Sequence, residues 1–559
     1  MENPERPECL GRKVQDGVFA VQRSNGNMIS LHIPVDIRRI PGIRKLAADY
    51  AFQFSSLTSF FSGDPSLPAS WSAAIDNARS HPRPRAEVAA MLATQLERRG
   101  APTPAREAAA RIADSKTVAI VTGQQAGMFG GPLYTLYKAL SAVKLAAKVS
   151  RDHQVPAVAI FWVESEDHDW DEVASCAVLD ADLHRRVITV PPPAGAGHTP
   201  VGLLTIEESI GTAIDELAAT LPPTEFTTSI VEGLRRAYRP GVSPSHAFTT
   251  WMEDLLGNLG LIFFECSDQS AKAFARDVFA HEVAHPGKTW ELAGEAGQRL
   301  TTRGYHAQVT AAGTPGPALF RLNGARKAID ATEASSLEHE VRMRPETFSP
   351  NVLLRPIVEE TLFPTICYVS GPNELAYLAQ LRKVYEHFGV PMPLFFPRAS
   401  ATILDAASAR FLAKHDLPFE ALQAQDESAL NKVLEASLPG SVEQALKDAD
   451  EAMLKSMAAV IASVPAVDAT LEGAAKATLG KIQHDLSSLR GKVVSAAKKR
   501  DDTLRRQFFR ARAQAFPDGM PQERALGCVA LLNRYGPALV ERLMDELPLD
   551  LGQHWVITL

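Results

Sequence analysis

Cysteine is scarce in this 559-residue chain. There are five, Cys9, Cys176, Cys266, Cys367 and Cys528, widely scattered, odd in number and nowhere spaced as C-x-x-C. The pattern suits a reducing cytosol and argues against a disulfide framework and against a cysteine-based zinc site. At this length a chain buries a sizeable core unaided, so no structural metal is expected either. Long apolar runs are also missing. The longest, such as Ala157-Val-Ala-Ile-Phe-Trp-Val163, have strand length and fall far short of the ~20 residues that a membrane helix needs. The opening MENPERPECLGRK has no apolar region behind a basic segment and does not read as a secretory signal. Excess positive charge is lacking too: 58 Lys+Arg against 65 Asp+Glu leave a net charge of −7, which speaks against a general nucleic-acid binder. The expectation is a soluble cytoplasmic protein with neither a membrane nor a nucleic acid as partner.

What is present is ordinary globular composition, 45% apolar and 22% charged. At ~150 residues per domain the length predicts three or four structural units. Residues 1 to about 116 read as mostly helical, broken by prolines such as His81-Pro-Arg-Pro84. The period then changes. Thr117 to Thr122 is a β-branched strand run, followed by the glycine-rich GQQAGMFGGPLY (Gly123–Tyr134), a helix from Pro132 to about Ser150, and a second strand at Ala157–Val163. Strand, helix, strand in this compass is a βαβ unit and predicts a parallel sheet. Further strands are expected at Leu261–Phe264 and Ile366–Val369. From about 401 the chain turns helical. Ala475, Leu479, Ile482, Leu486, Leu489 and Val493 form an a/d seam, and Val442, Leu446, Ala449, Met453, Met457 and Val460 a less regular one, with a break at Pro465. A helical hairpin follows, either packed within the chain or serving as a coiled-coil dimerisation arm. The predicted organisation is a core over 1–400 with an insertion at about 190–300, a helical arm over 401–515, and a segment 516–559 returning to the core.

The glycine loop between strand and helix exposes N–H groups beneath a positive helix end, where a phosphate or carboxylate is the natural ligand. It matches neither G-x-G-x-x-G nor G-x-x-x-x-G-K-[ST], so the specific dinucleotide and P-loop assignments fail. Gln124, Gln125, Gly127 and Tyr134 are predicted to line an anion pocket. Lys138, one turn further along, is either its cation or a solvated surface residue. The second strand ends in Glu164-Ser-Glu-Asp167-His168-Asp169-Trp-Asp-Glu172, six carboxylates and one imidazole in nine residues. At the carboxyl end of a parallel strand this cluster faces the ligand crevice, and crowded carboxylates raise one another's pKa, which suits acid/base work. Glu164, Asp167, His168 and Asp169 are the candidate catalytic groups. A third region, Ser349–Pro356 and Thr365–Arg398, repeats the strand, glycine, proline, helix device at Ser370-Gly-Pro372. Tyr368, Asn373 and Glu374 are expected to close the pocket, with Arg355 and Arg398 as clamps for carboxylate or phosphate.

Two other patterns have plainer readings. His281-Glu282-Val-Ala-His285 satisfies H-E-x-x-H, the zinc-peptidase helix motif, but Pro286-Gly287 stop the helix at once and no H-x-x-G-x-x-H extension follows. The basic run Lys498-Lys-Arg500 through Arg505, Arg506, Arg510 and Arg512 is interrupted by Asp501 and Asp502, and is read as a solvated helix face.

Together VTGQQAGMFGGPLYTLYKALSAVKLA, FWVESEDHDWDEV, SPNVLLRP and YVSGPNELAYLAQLRKVYEHFGVPMPLFFPR resemble the BshC family of bacillithiol synthesis, densely over about 117–172 and 349–400 and more loosely in the helical region and PQERALG at 521–527. The resemblance implies an α/β fold: a Rossmann-like core similar to class I aminoacyl-tRNA synthetases, with connecting-peptide insertions and a coiled-coil arm involved in homodimers. It also implies a cysteine ligase that adds L-cysteine to glucosaminyl-malate, with ATP, and Mg2+ alongside it, as the co-substrate that amide formation requires. Neither H-x-G-H nor K-M-S-K-S occurs, so the synthetase adenylation motifs are not visible. The alternative is a non-catalytic nucleotide- or metabolite-binding scaffold for thiol synthesis, and a zinc peptidase is the third reading.

Overall fold

A computed structural model describes residues 20–23, 29–310, 316–436, 440–500 and 502–559; Cys9 and the opening segment lie outside them. The chain forms two compact units, one built from residues up to Ile403 together with Met520–Ile557, the other from Leu404–Gly519.

The first unit is organised by a five-stranded parallel sheet of Val118–Gln125, Ala157–Glu164, Leu261–Glu265, Thr365–Ser370 and Leu394–Pro397. In space the order is 394–397, 365–370, 118–125, 157–164, 261–265. Numbered along the chain and read from the other edge this is 3-2-1-4-5, the Rossmann order, whose direction of winding reverses between the first and fourth strands. The strands are apolar runs because both faces are covered. Ile120, Phe161, Val163, Leu261 and Phe263 pack into one core cluster, while their neighbours Ala119, Val121, Ile160, Trp162, Ile262 and Phe264 pack into another. The helix Leu133–His153 lays Leu133, Leu136, Tyr137, Leu140 and Val143 into the first cluster. Pro132, expected as its first residue, instead occupies the cap position with extended backbone, and helical geometry begins at Leu133.

One expectation is completed and another changes. The N-terminal region is mostly helical over its described residues, with helices at Lys45–Phe52, Pro68–Ser80, Arg85–Arg99 and Thr103–Ala110, but it also supplies the strands Ala20–Arg23 and Ile29–Asp36 to a second sheet of order 20–23, 29–36, 553–558, 400–404. The edge strand Leu261–Glu265 of the main sheet arises inside the segment read as an insertion, so the region between 190 and 300 supplies part of the core.

In the second unit the helices Gly440–Ser463 and Leu471–Arg500 pack against each other across the turn at Pro465. The seam of the second helix divides: Ala475 is buried and Leu479, Leu486 and Val493 are half-buried, whereas Ile482 and Leu489 remain 37% and 50% exposed. The arginines of the basic run are partly neutralised within this unit, Arg510 by Asp405 at 2.5 Å and Arg505 by Glu427 at 4.0 Å. The side chains of Lys498, Lys499 and Arg500, and all of Asp501, lie outside the described residues.

The returning segment is fastened to the first unit by charge. Glu523 accepts two hydrogen bonds from the Arg398 guanidinium, at 2.8 and 2.7 Å, with both side chains almost fully buried. Glu523→Gln leaves the arginine without a counter-ion in the core and should destabilise the protein by about 3–5 kcal/mol in urea unfolding. The double variant Arg398→Met/Glu523→Leu, which removes both charges, should recover most of that loss.

Candidate active site

The winding reverses between Val118–Gln125 and Thr365–Ser370, and the carboxyl ends of such strands are where an open α/β sheet places its ligand crevice; Lys138 is buried beside them. This residue is 1% exposed rather than solvated. Its ammonium donates to the Gly123 carbonyl at 2.8 Å, to Gln124 Oε1 at 3.1 Å and to Glu374 Oε1 at 2.5 Å, so all three protons have acceptors. Burial pulls its pKa below the ordinary lysine value, against the pull of Glu374. Gln124 Nε2 in turn lies 3.4 Å from the Tyr134 hydroxyl.

Above this floor Arg355 is held against the faces of Trp162 and Tyr368, its guanidinium 5.7 and 5.5 Å from the ring centroids. It donates to Glu359 at 2.9 Å and lies 3.9 Å from Glu164. Burial raises the pKa of both carboxyls while Arg355 lowers it; Glu164 ends above the ordinary value and Glu359 is pushed up to about 7. Further along, Asp167 pairs with Arg326 at 3.0 Å and with His168 at 3.2 Å. Asp169 caps the short helix Trp170–Val173 by accepting the Glu172 N–H, and Glu172 accepts from Gln125 Nε2 at 2.6 Å. Asp167, His168 and Asp169 open onto a cleft of about 560 Å3 walled by Trp170, Pro192, Ala196 and Gly197.

The three sequence regions therefore do meet, but two roles expected of them change. Gly127 is a packing residue. Its N–H donates to the Gln125 carbonyl at 2.8 Å, and a Cβ here would lie 2.8 Å from Gly131 Cα. The N–H groups of Gly130, Gly131 and Leu133 also have acceptors inside the protein, so the glycine loop is closed on itself instead of cradling an anion. Arg398 is not a free clamp, because Glu523 neutralises it; it lies 5.4 Å over the Tyr134 ring.

Beside these pairs stands a set of unpartnered polar atoms, most of them acceptors. Gln125 Oε1, Asn373 Oδ1, Glu374 Oε2 and the Ser370 hydroxyl are buried without a hydrogen-bond partner in the protein. Buried polar atoms are nearly always partnered, and four orphans at the ends of adjacent strands mark where a ligand with O–H or N–H donors belongs. Sequence reasoning passed over Ser370, although it sits inside a motif already singled out. Arg326 and the buried Lys272, which pairs with Glu166, belong to no motif. Only the fold brings them to the acidic cluster.

The His281 motif fails as a peptidase centre. Glu282, which would have to act as base, is fully buried and accepts from Thr289 Oγ1 at 2.5 Å and from the Ala318 N–H at 2.6 Å.

A Rossmann-ordered sheet with a polar crevice at its reversal point, joined to a unit with a helical hairpin, defines the class of protein. The chain belongs to the BshC family: residues 31–399 match "Bacillithiol biosynthesis BshC, N-terminal Rossmann-like domain" and residues 401–559 match "Bacillithiol biosynthesis BshC, C-terminal coiled-coil domain". Relatives named "Putative cysteine ligase BshC" include one from Salinibacter ruber, 34% identical over 92% of this chain and 96% of its own. Another, from Chlorobaculum tepidum, is 34% identical over 78% and 82%. Among solved structures, Mycobacterium tuberculosis methionyl-tRNA synthetase in complex with methionyl-adenylate aligns over 78% of this chain and 94% of that one, at 11% identity and a TM-score of 0.21, too low to bear on fold or ligand.

The raised carboxyl of Glu359 predicts a pH signature. A carboxyl with a folded pKa near 7 and an unfolded value near 4.5 keeps its proton longer in the native state, so its contribution to stability is present below 4.5 and is lost as pH rises to 7. Relative to Glu359→Gln, the wild type should lose stability by an amount on the order of 3 kcal/mol at most as pH rises from 4.5 through 7, with only a few tenths of a kcal/mol left to lose between about pH 7 and 8, read from urea midpoints of the two proteins.

Proposed function

We propose that this crevice joins the carboxylate of L-cysteine to the amine of glucosaminyl-malate, in the cytoplasm and at the expense of ATP with Mg2+. The observation that carries the reading is the set of orphaned acceptors at Gln125, Ser370, Asn373 and Glu374. Three of the four are carbonyl or carboxylate oxygens, which call for donors, and an amino sugar, an amino acid and a ribose all offer them.

Amide formation has two requirements. The departing carboxylate oxygen must leave on phosphorus, which ATP supplies, and the attacking ammonium must first lose a proton. Glu164 is the proposed base, since its burial keeps proton affinity above that of an ordinary carboxylate. Arg355, anchored between two carboxyls and two aromatic faces, comes to offset the negative charge of the activated carboxylate as Glu164 takes up the proton and gives up its own charge. Asp167, His168 and Asp169 bind the amine-bearing substrate in the neighbouring cleft, while Tyr134, Gln124 and the Lys138–Glu374 pair hold the floor in place. Tyr368 shields Arg355 from water. Ile482 and Leu489, exposed on the arm, support a homodimer formed through the helical hairpin.

Purified protein given cysteine, glucosaminyl-malate and ATP should release bacillithiol, detected by mass spectrometry, and omission of ATP should stop it. No product from the complete mixture would leave the scaffold reading in its place. His168→Ala/Asp169→Ala should lower turnover at least ~10²-fold with the circular dichroism unchanged. Glu164→Gln should also abolish the acid limb of the pH–rate profile.

A further inference from the structure

The H-E-x-x-H segment, released from a peptidase role, still holds an arrangement that the ligase reading does not use. His281 lies at the end of the helix Gln269–Ala284, and His285 follows it by one turn as the cap residue. The two rings stand 4.4 Å apart between centroids. A third imidazole, His387, comes from the helix Arg382–Phe388, with its ring centroid 4.7 Å from His281 and 5.5 Å from His285. One ring nitrogen from each of the three lies within 4.8 Å of the others. The closest pair, His281 Nε2 and His387 Nε2, is 3.2 Å apart.

That separation has a specific meaning. Two nitrogens bound to one zinc at 2.0–2.1 Å with a tetrahedral angle lie about 3.3–3.4 Å apart. The orientation of His285 agrees. Its Nδ1 faces the His281 carbonyl at 2.9 Å, as the second nitrogen of a metal-bound imidazole commonly faces a backbone oxygen, which leaves Nε2 for the ion. Phe388 walls the inner side, 4.9 Å from the His281 ring. Lys288, a cation that opposes a positive charge here, is paired with Glu291 at 2.7 Å. His285 is exposed, so a fourth position faces solvent.

We propose that His281, His285 and His387 bind one borderline divalent transition-metal ion, with zinc as the first choice and water as the fourth ligand. Three neutral nitrogens with neither thiolate nor carboxylate among them select such a cation over magnesium or calcium. The ion clasps the end of the 269–284 helix to the 382–388 helix, which lies in the chain between the sheet strands Thr365–Ser370 and Leu394–Pro397. This places a metal in a chain whose few cysteines give no hint of one. With Glu282 turned away, its role is to fasten helices rather than to cleave peptides.

A metal-free hydrogen bond between His281 and His387 accounts for the 3.2 Å contact equally well, and titration separates the two. Untagged full-length protein, stripped with chelator and dialysed, is titrated with Zn2+ by calorimetry and with Co2+ by visible absorption. One saturable equivalent and a tetrahedral cobalt band are expected. His285→Ala, which alters only an exposed side chain, and His387→Ala should each weaken zinc binding at least ~10-fold, and zinc should raise the melting temperature of the wild type but of neither variant. Absence of saturable binding, or affinity unchanged in His285→Ala, overturns the site. Neither readout depends on ligase activity.

Discussion

A lysine ammonium buried beneath a sheet is costly unless every proton finds an acceptor, and this constraint shapes the crevice. Lys138 finds its three acceptors in the Gly123 carbonyl, Gln124 and Glu374. The first two lie at the end of the central strand; the third stands 236 residues beyond Lys138, after the strand beside it. Satisfying one charge therefore holds the two sides of the reversal point together. Mutual neutralisation then spreads outward: Arg355 between Glu164 and Glu359, Arg326 with Asp167, Lys272 with Glu166, Arg398 with Glu523. The cations that line the crevice are thus matched by carboxylates. What is left for a ligand is hydrogen-bonding capacity, chiefly in acceptors.

The same arithmetic explains why the glycine loop is not a phosphate cradle. In nucleotide-binding loops successive N–H groups point outward because nothing inside accepts them. Here Gly127, Gly130, Gly131 and Leu133 donate inward, Leu133 to the carbonyl of Leu526 in the returning segment at 2.7 Å. The loop's glycines serve close approach: Gly130 and Gly131 have positive φ, and Gly127 packs on Gly131. The four described cysteines are buried, and burial raises their thiols, with Cys528 pushed up to about 12, so they stay protonated and unreactive in a protein whose proposed substrate is itself a thiol.

Much of the core was legible because strands buried on both faces must be continuous apolar runs. Thr117–Thr122, Ala157–Val163, Leu261–Phe264 and Ile366–Val369 all fall on strands of the central sheet. The N-terminal strands were not legible, because Ile29–Asp36 is held by pairing with residues 553–557 at the far end of the chain. The acidic cluster and the SGPNE turn were visible as motifs. Their partners Arg326 and Lys272 were not, since a lone arginine or lysine carries no pattern.

By itself the sequence determined a parallel α/β core, a helical arm, the family, and the residue types gathered near the strand ends, because these follow from hydrophobic period and local turn chemistry. Only the tertiary structure decided which charges are free. Lys138, expected either at an anion or in solvent, is locked in the floor; Arg398, expected as a clamp, is neutralised; and His387 joins a motif more than a hundred residues before it. Pairing of buried charges and convergence of side chains from distant segments depend on three-dimensional proximity, which no spacing along the chain encodes.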